Sequence, residues 1–254
     1  LLVRNTANLT PPWVEISVLP GDTEKIENVV EALFQQQVYG ALRITCAAQR
    51  LVVTSRVFST AGVGLERESM GQGFTGVPAS FAIGAGEKTQ ILGVHQTLPA
   101  AASQFRFNFG FVETTGHAVN LTVRAFDESG VEVGSKDFNV REYSQRQVAF
   151  KDHFPTVSAE NVRLEVEVKS GNGKVIAYGS GIANGSQDPT TYEATYNASL
   201  LSLATVAHDE TMVGDGTVAA PLGLADGAVT AAKIAAGAVG PTQLPASVVT
   251  AEKL

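Results

Sequence analysis

The residues able to do chemistry in this chain are few, and their spacing argues against most reactions. The run GQGFTG, with Gly71, Gly73 and Gly76, matches a dinucleotide fingerprint by letters. Such a fingerprint works only where it follows a strand and opens a helix inside a βαβ unit. Here Pro78 follows at once and no βαβ pattern surrounds it, so the run reads as a Gly-rich loop. His95, His117, His153 and His208 are isolated, and none has a partner at metal-ligand spacing. Each reads as a packed or solvated histidine. Ser180, in YGSGIANGS, lacks the spacing of a nucleophile elbow and reads as a small residue where sheets pack closely. Asp127 and Glu128 belong to a turn, and Glu165 and Glu167 to a solvated strand face, so none suggests a carboxylate pair for sugar hydrolysis. Asp209 and GDGT (214–217) lack the alternating ligands and distal Glu of a calcium loop and read as a tight turn. The acceptor sequons at Asn8, Asn120, Asn184 and Asn197 are formal only. Cys46 is alone, which rules out a disulfide within the chain and a Cys cluster, and it reads as a small buried residue. No catalytic, cofactor or metal site emerges, and the expected protein is not an enzyme. Trp13, Phe74 and Phe81 are the aromatic candidates for recognition, since rings on loops stack on sugars.

The elements that must carry these residues are β. In the 254-residue chain, FRFNFGFV places Phe105, Phe107, Phe109 and Phe111 on one face of a strand. NLTVRAF and VEVGSKDFNV flank DESG and predict a hairpin. NVRLEVEVK and KVIAYGSGI flank SGNG and predict another, with Leu164, Val166 and Val168 inward and Arg163, Glu165, Glu167 and Lys169 outward. Ile26, Val29, Val30 and Leu33 have helical spacing, with Thr23 as the expected cap. A weak internal repeat at an offset of 122 residues sets Val18 on Val140 and Ile26 on Val148. It predicts two tandem antiparallel β-sandwiches. The expected modules are 1–58, N-terminally incomplete, and 105–204, joined by a Gly-rich loop or arm and connecting strand over 59–104. The first lacks its own Phe-rich strand, which leaves a gap for an upstream strand or for one donated by a neighbour, with ASFAI (79–83) as the donor.

From Thr205 onward the chain changes character. No aromatic residue follows Tyr196, and the tail is mostly Ala, Gly, Val and Thr. It repeats in tens: Val229, Val239 and Val249 align, as do Ile234, Leu244 and Leu254. Pro241 and Pro245 stop any long helix, which excludes a heptad coiled coil; Thr230 is placed to cap a single turn. Burying two apolar side chains per unit gives ~1.5–3 kcal/mol each, while ordering ten residues costs more than ~10 kcal/mol. One copy alone loses that balance. The tail therefore reads as an extended, intertwined stalk over 205–254, with those six residues as its oligomerisation contacts.

Composition agrees with this picture. The chain is 44% hydrophobic and 17% charged with a net charge of −7, so it has no basic surplus for nucleic acid. No apolar run reaches the ~18 residues of a membrane helix. LLVRNTANLT opens as a strand, and the stop at Leu254 in mid-repeat reads as a piece of a longer protein.

The body, through LVVTSRVFST, GQGFTGVPA, TQILGVHQ and FRFNFGFVETTGHAVNLTVRAFDESGVEVGS, resembles tandem Ig-like β-sandwich modules of bacterial secreted and surface proteins. The tail, in DGTVAAPLGLADGAVTAAKIA, resembles the decapeptide segments of phage-tail-fibre-like and trimeric surface-fibre proteins. The resemblance implies a homotrimeric stalk. The expected function is that of an extracellular structural or adhesive fibre protein on a cell or virion surface. The expected partners are further copies, as a trimer or polymer, and a cell-surface glycan or envelope. The rival readings are a receptor-binding tail-fibre protein of a phage or phage-like particle and an accessory module of a secreted hydrolase.

Overall fold

The computed structural model describes residues 1–46, 51–59, 70–194, 209–214, 220–236 and 238–239. Residues 1–200 and 201–254 form separate compact units. The first is built from β1 (Leu2–Val3), α1 (Val29–Phe34), β2 (Gly40–Ala41), β3 (Thr54–Ser59), β4 (Met70–Thr75), β5 (Lys88–Gln96), β6 (Phe105–Glu113), β7 (Val119–Phe126), β8 (Glu132–Val140), β9 (Gln145–Ala149), α2 (Phe150–His153), β10 (Ala159–Gly171), β11 (Val175–Ala183) and β12 (Pro189–Glu193). The second holds β13 (Met212–Val213) and β14 (Gly223–Leu224). The chain is an all-β protein of antiparallel sheets.

Two four-stranded sheets share one core. Their strand orders are β5-β10-β7-β8 and β12-β11-β6-β9. The period-2 alternation read from the sequence aims Phe107, Phe109 and Phe111 of β6 inward, against Leu121 and Val123 of β7 and Leu164, Val166 and Val168 of β10. Phe109 meets Phe138 edge-on at 5.6 Å between centroids, and Phe150 stacks on Phe154 at 4.9 Å as α2 closes one side. The DESG hairpin forms between β7 and β8, with Asp127 Oδ1 accepting the Ser129 and Val131 N–H groups at 2.9 Å. On the outer face Glu165 and Glu167 are bound in a ladder rather than free in solvent. Arg124 reaches both, and Lys88 and Lys169 close its ends.

Several expectations are corrected. The second hairpin does not form: β10 pairs with β5 and β7, and β11 pairs with β6 and β12. SGNG is an arch from one sheet to the other, because both flanking strands present apolar faces that must oppose each other across the core. The Gly-rich arm contains two strands. Residues 71–75 of GQGFTG lie in β4, paired with β3, and β5, which falls within the span of the expected connecting strand, is an edge strand of the core sheet. Ala79–Phe81 is a 3-10 turn, and Ile83 is buried and bridged to Val175 of its own chain, so ASFAI does not act as a donated strand here.

The offset of 122 also fails to map element onto element. Val140 is buried on β8, whereas Val18 is exposed and lies in no strand. A second two-layered body is not among the described residues. The start of the chain docks as a small sheet extension: β1 pairs with β2, and Arg4 bridges Gln145 at the β9 edge. Helix α1 starts later than expected, after Asn28 rather than at Thr23, and the Asn28 carboxamide bonds to Glu31. Cys46 is exposed.

Candidate functional site

Ionisable groups with unusual surroundings are the first place to seek chemistry. Glu113 is fully buried at the end of β6. Burial pushes its carboxyl up, but hydrogen bonds from the Thr115 side chain and from the backbone N–H groups of Tyr143, Thr115 and Gly116 outweigh it and hold the group below its ordinary value. Oε1 accepts the Thr115 N–H at 2.7 Å and its hydroxyl at 2.6 Å; Oε2 accepts the Gly116 and Tyr143 N–H groups at 2.8 Å. Lys174 N–H is 3.4 Å from Oε1 and donates to Thr115 Oγ1 at 3.1 Å. These partners lie on the β6–β7, β8–β9 and β10–β11 connections, each of which crosses between the sheets. The carboxylate fastens three crossings at one end of the body and has its oxygens filled by the protein, which is a structural role.

Tyr178 is pushed up to about 12 by burial, with the bond from Gln145 acting in the opposite direction. Its hydroxyl donates to Gln147 Oε1 at 3.1 Å. His153 is lowered by burial and packs edge-on against Phe138. His95 lies edge-on to Phe105, with Nδ1 3.1 Å from the Glu160 carbonyl, and His117 is exposed. His208 lies outside the described residues. Among the described residues no three His, Cys, Asp or Glu side chains are grouped to hold a metal ion.

A surface groove of about 730 Å³ lies between β4 of the β3–β4 ribbon, β12 and β5. Gly73, Thr75, Gln90, Leu92, Tyr192 and Glu193 are among its lining residues. The ribbon is held by Gln72, whose Nε2 donates to the Thr190 carbonyl at 2.9 Å and whose Oε1 accepts from the Ser180 hydroxyl at 3.0 Å. Ser180 is thus a buried anchor on β11. Sequence spacing gave no hint of this groove, because its lining comes from three separate stretches. The aromatic candidates do not gather around it. Trp13 is exposed in the N-terminal segment, Phe74 is half-buried on β4, and Phe81 is half-buried in a 3-10 turn. No ring contact joins the three among the described residues.

In the tail unit one backbone hydrogen bond recurs at the ten-residue spacing of the sequence. The Ala228 N–H bonds the Ala225 carbonyl at 3.0 Å, and ten residues on the Ala238 N–H bonds the Ala235 carbonyl at 2.9 Å. Between these turns Ala231–Lys233 makes one 3-10 turn. Thr230 stands at its start without a side-chain cap; its carbonyl accepts the Lys233 N–H at 2.9 Å. β13 and β14 pair over two residues each. The apolar residues of the repeat are uncovered: Val229 is 54% exposed, Ile234 42% and Val239 50%. Leu244, Val249 and Leu254 lie outside the described residues, as does most of GDGT.

No family model matches the chain, and no curated protein matches it. Among solved structures the chain is similar to the crystal structure of Thermotoga maritima 1070. That likeness has 10% identity and a TM-score of 0.35, and covers 45% of this chain and 96% of that one. A likeness at this level says nothing of function.

Proposed function

We propose that the protein is a non-enzymatic extracellular structural or adhesive protein that works as an assembly of copies, with the decapeptide tail as a trimeric stalk and the β body carried on it. The observation that carries this reading is the exposure of Val229, Ile234 and Val239 at five- and ten-residue spacing in a single chain. Regularly spaced apolar side chains on a backbone of small residues have no use in water and a clear use against identical chains.

The body supports the finer reading of an Ig-like sandwich. β6 and β9 pair in one sheet as strands B and E of that fold do, and β7 and β10 pair in the other as C and F do. β11 departs from the pattern by joining β6 instead of staying beside β10. The unusual ionisable groups of the body have structural explanations, and its groove is a shallow surface suited to contact rather than to enclosed chemistry.

The test is Val239→Asp, which sets one unpaired charge per chain among the stalk contacts. Sedimentation of the full chain should show self-association weakened by about tenfold or more, while thermal unfolding of the body is unchanged. An oligomer indifferent to this substitution refutes the stalk.

A further inference from the structure

Three glycines shape the groove bordered by β4 and by β5 and β12, the edge strands of the two core sheets. A bulge in β5 turns Leu92 outward, where it is 59% exposed, and holds Gly93 at φ +73°. A Cβ at Gly93 would stand 2.9 Å from Tyr192 Cε1, and one at Gly181 would stand 3.1 Å from Cε2. Tyr192 is therefore slotted between glycines of two different strands, and its ring also meets Phe107 at 5.5 Å between centroids. It is half-buried and lines the groove. On β4 the third glycine does the opposite. A Cβ at Gly73 would meet no atom within 4 Å, so the backbone there borders open space. Glycine weakens a strand, and within one it often marks the close approach of another molecule. The β4 wall is pinned as well: Gln72 bonds Ser180 and the Thr190 carbonyl, and the Thr191 hydroxyl donates to the Gly73 carbonyl.

The unused hydrogen-bonding groups of the groove say what fits it. The Tyr192 hydroxyl, the Gln90 carboxamide and the Thr75 hydroxyl have no partner among the described residues. Glu193 uses only Oε1, on the Thr75 N–H at 3.4 Å. Beside these donors and acceptors lies the apolar surface of Leu92 and Tyr192. A pyranose ring matches this mixture, with hydroxyls that both donate and accept and a C–H face that packs on apolar carbon. The groove's volume of about 730 Å³ falls within the roughly 300–1,000 Å³ of small-ligand sites. Glu193 is the one charged residue among the described lining, so a carboxylated or sulfated sugar is repelled and a neutral one is not. An added peptide strand fits poorly. The bulge interrupts the β5 edge, and side chains of the ribbon already hold the Thr190 carbonyl and the Thr191 hydroxyl of β12.

We infer that this groove binds a short neutral saccharide, with Leu92 and Tyr192 against its C–H face and Gln90, Thr75, Glu193 and the Tyr192 hydroxyl bonding its hydroxyls. The inference rests on the adhesive reading proposed above and gives it a ligand class.

The experiment presents the full-length chain with an array of neutral hexose and N-acetylhexosamine oligosaccharides beside sialylated and sulfated ones. The strongest neutral oligosaccharide is then titrated by calorimetry. Gly73→Leu fills the open space and should weaken binding by about tenfold or more. Tyr192→Phe keeps the ring and removes the hydroxyl, and should weaken it by about three- to tenfold. Amide exchange of β6, β7 and β10 should match the parent in both variants, which reports a folded body. A neutral saccharide bound equally by the parent and both variants overturns the site. Binding confined to the acidic glycans overturns the ligand class, and an array with no binding overturns the inference outright. If no glycan binds and Gly73→Leu alters sedimentation, the groove takes a segment of a second copy instead, and the inference is likewise overturned. The two readings fail separately. Parent affinity per site in the Val239→Asp chain keeps this inference whatever becomes of the oligomer, and an assembled chain that binds no saccharide refutes it and keeps the stalk.

Discussion

Replacing Glu113 with Gln tests whether one carboxylate fastens the three crossings. Both oxygens already accept two close donors each, at 2.6–2.8 Å. Whichever way the carboxamide turns, its NH₂ group faces two donors that have lost their acceptor. Hydrogen bonds to a charged group contribute ~1.5–3 kcal/mol each, and a buried donor left unpaired costs ~1–3 kcal/mol. Two such losses, partly relaxed, give a destabilisation of ~3–5 kcal/mol at neutral pH. For a body of this size that lowers Tm on the order of 15 °C. The pH dependence sharpens the test. The folded pKa is depressed below the ordinary value of 4.5, so the carboxylate's contribution is fully present above that value. It is lost as pH falls through the depressed one. Denaturant unfolding followed from pH 7 to pH 3 should therefore show parent and Glu113→Gln chains converging at the acid end. A loss under about 1 kcal/mol, or a gap that stays constant with pH, would refute the reasoning; such a small loss is typical of ordinary surface substitutions.

Three other substitutions probe the body by chemical denaturation. Gly179→Ala sets a methyl group 2.6 Å from Phe107 Cζ and 2.8 Å from Ile91 Cγ2 and should cost ~1–3 kcal/mol. Gln96→Leu removes a buried donor that serves the Phe154 and Val157 carbonyls, each at 2.9 Å, and should cost ~2–3 kcal/mol and loosen the turn after α2. Arg124→Met breaks the centre of the outer-face ladder and should cost only ~1 kcal/mol, less in high salt, because that face is open to water.

The core of the body is legible in the sequence where a strand keeps strict alternation. Phe107, Phe109 and Phe111 on β6, and Leu164, Val166 and Val168 on β10, stand where their period places them. β5 is hidden by a bulge. Thr89 and Ile91 face inward, then Val94 and Gln96, with one residue too many between them. Gly93 absorbs it at φ +73°, and three residues from Ile91 to Val94 stand against two from Val162 to Leu164. The slip breaks the period, so the run reads only as a connecting strand, without an inward face. The SGNG arch is misread for a different reason: a turn and two alternating strands look the same whether they share a sheet or face each other. Glu113 carries no local signal, because its donors come from positions 2, 3, 30 and 61 residues away. The tail's period is plain in the letters, but the letters do not show whether Val229, Ile234 and Val239 are covered, and in the single chain they are not.

For the assembly proposed above, the recurring turn of the tail has a consequence for how copies would align. A unit of ten residues with the same hydrogen bond from Ala228 to Ala225 and from Ala238 to Ala235 is a ruler with like marks. Chains offset by one mark would meet with nearly the same contacts, so the repeat sets spacing but leaves the zero point free. Something that does not repeat must set that zero, and in this chain the non-repeating part is the body. A stalk of the proposed kind would be lengthened or shortened by whole units without retuning any contact, whereas an insertion of five residues would put every mark between two others.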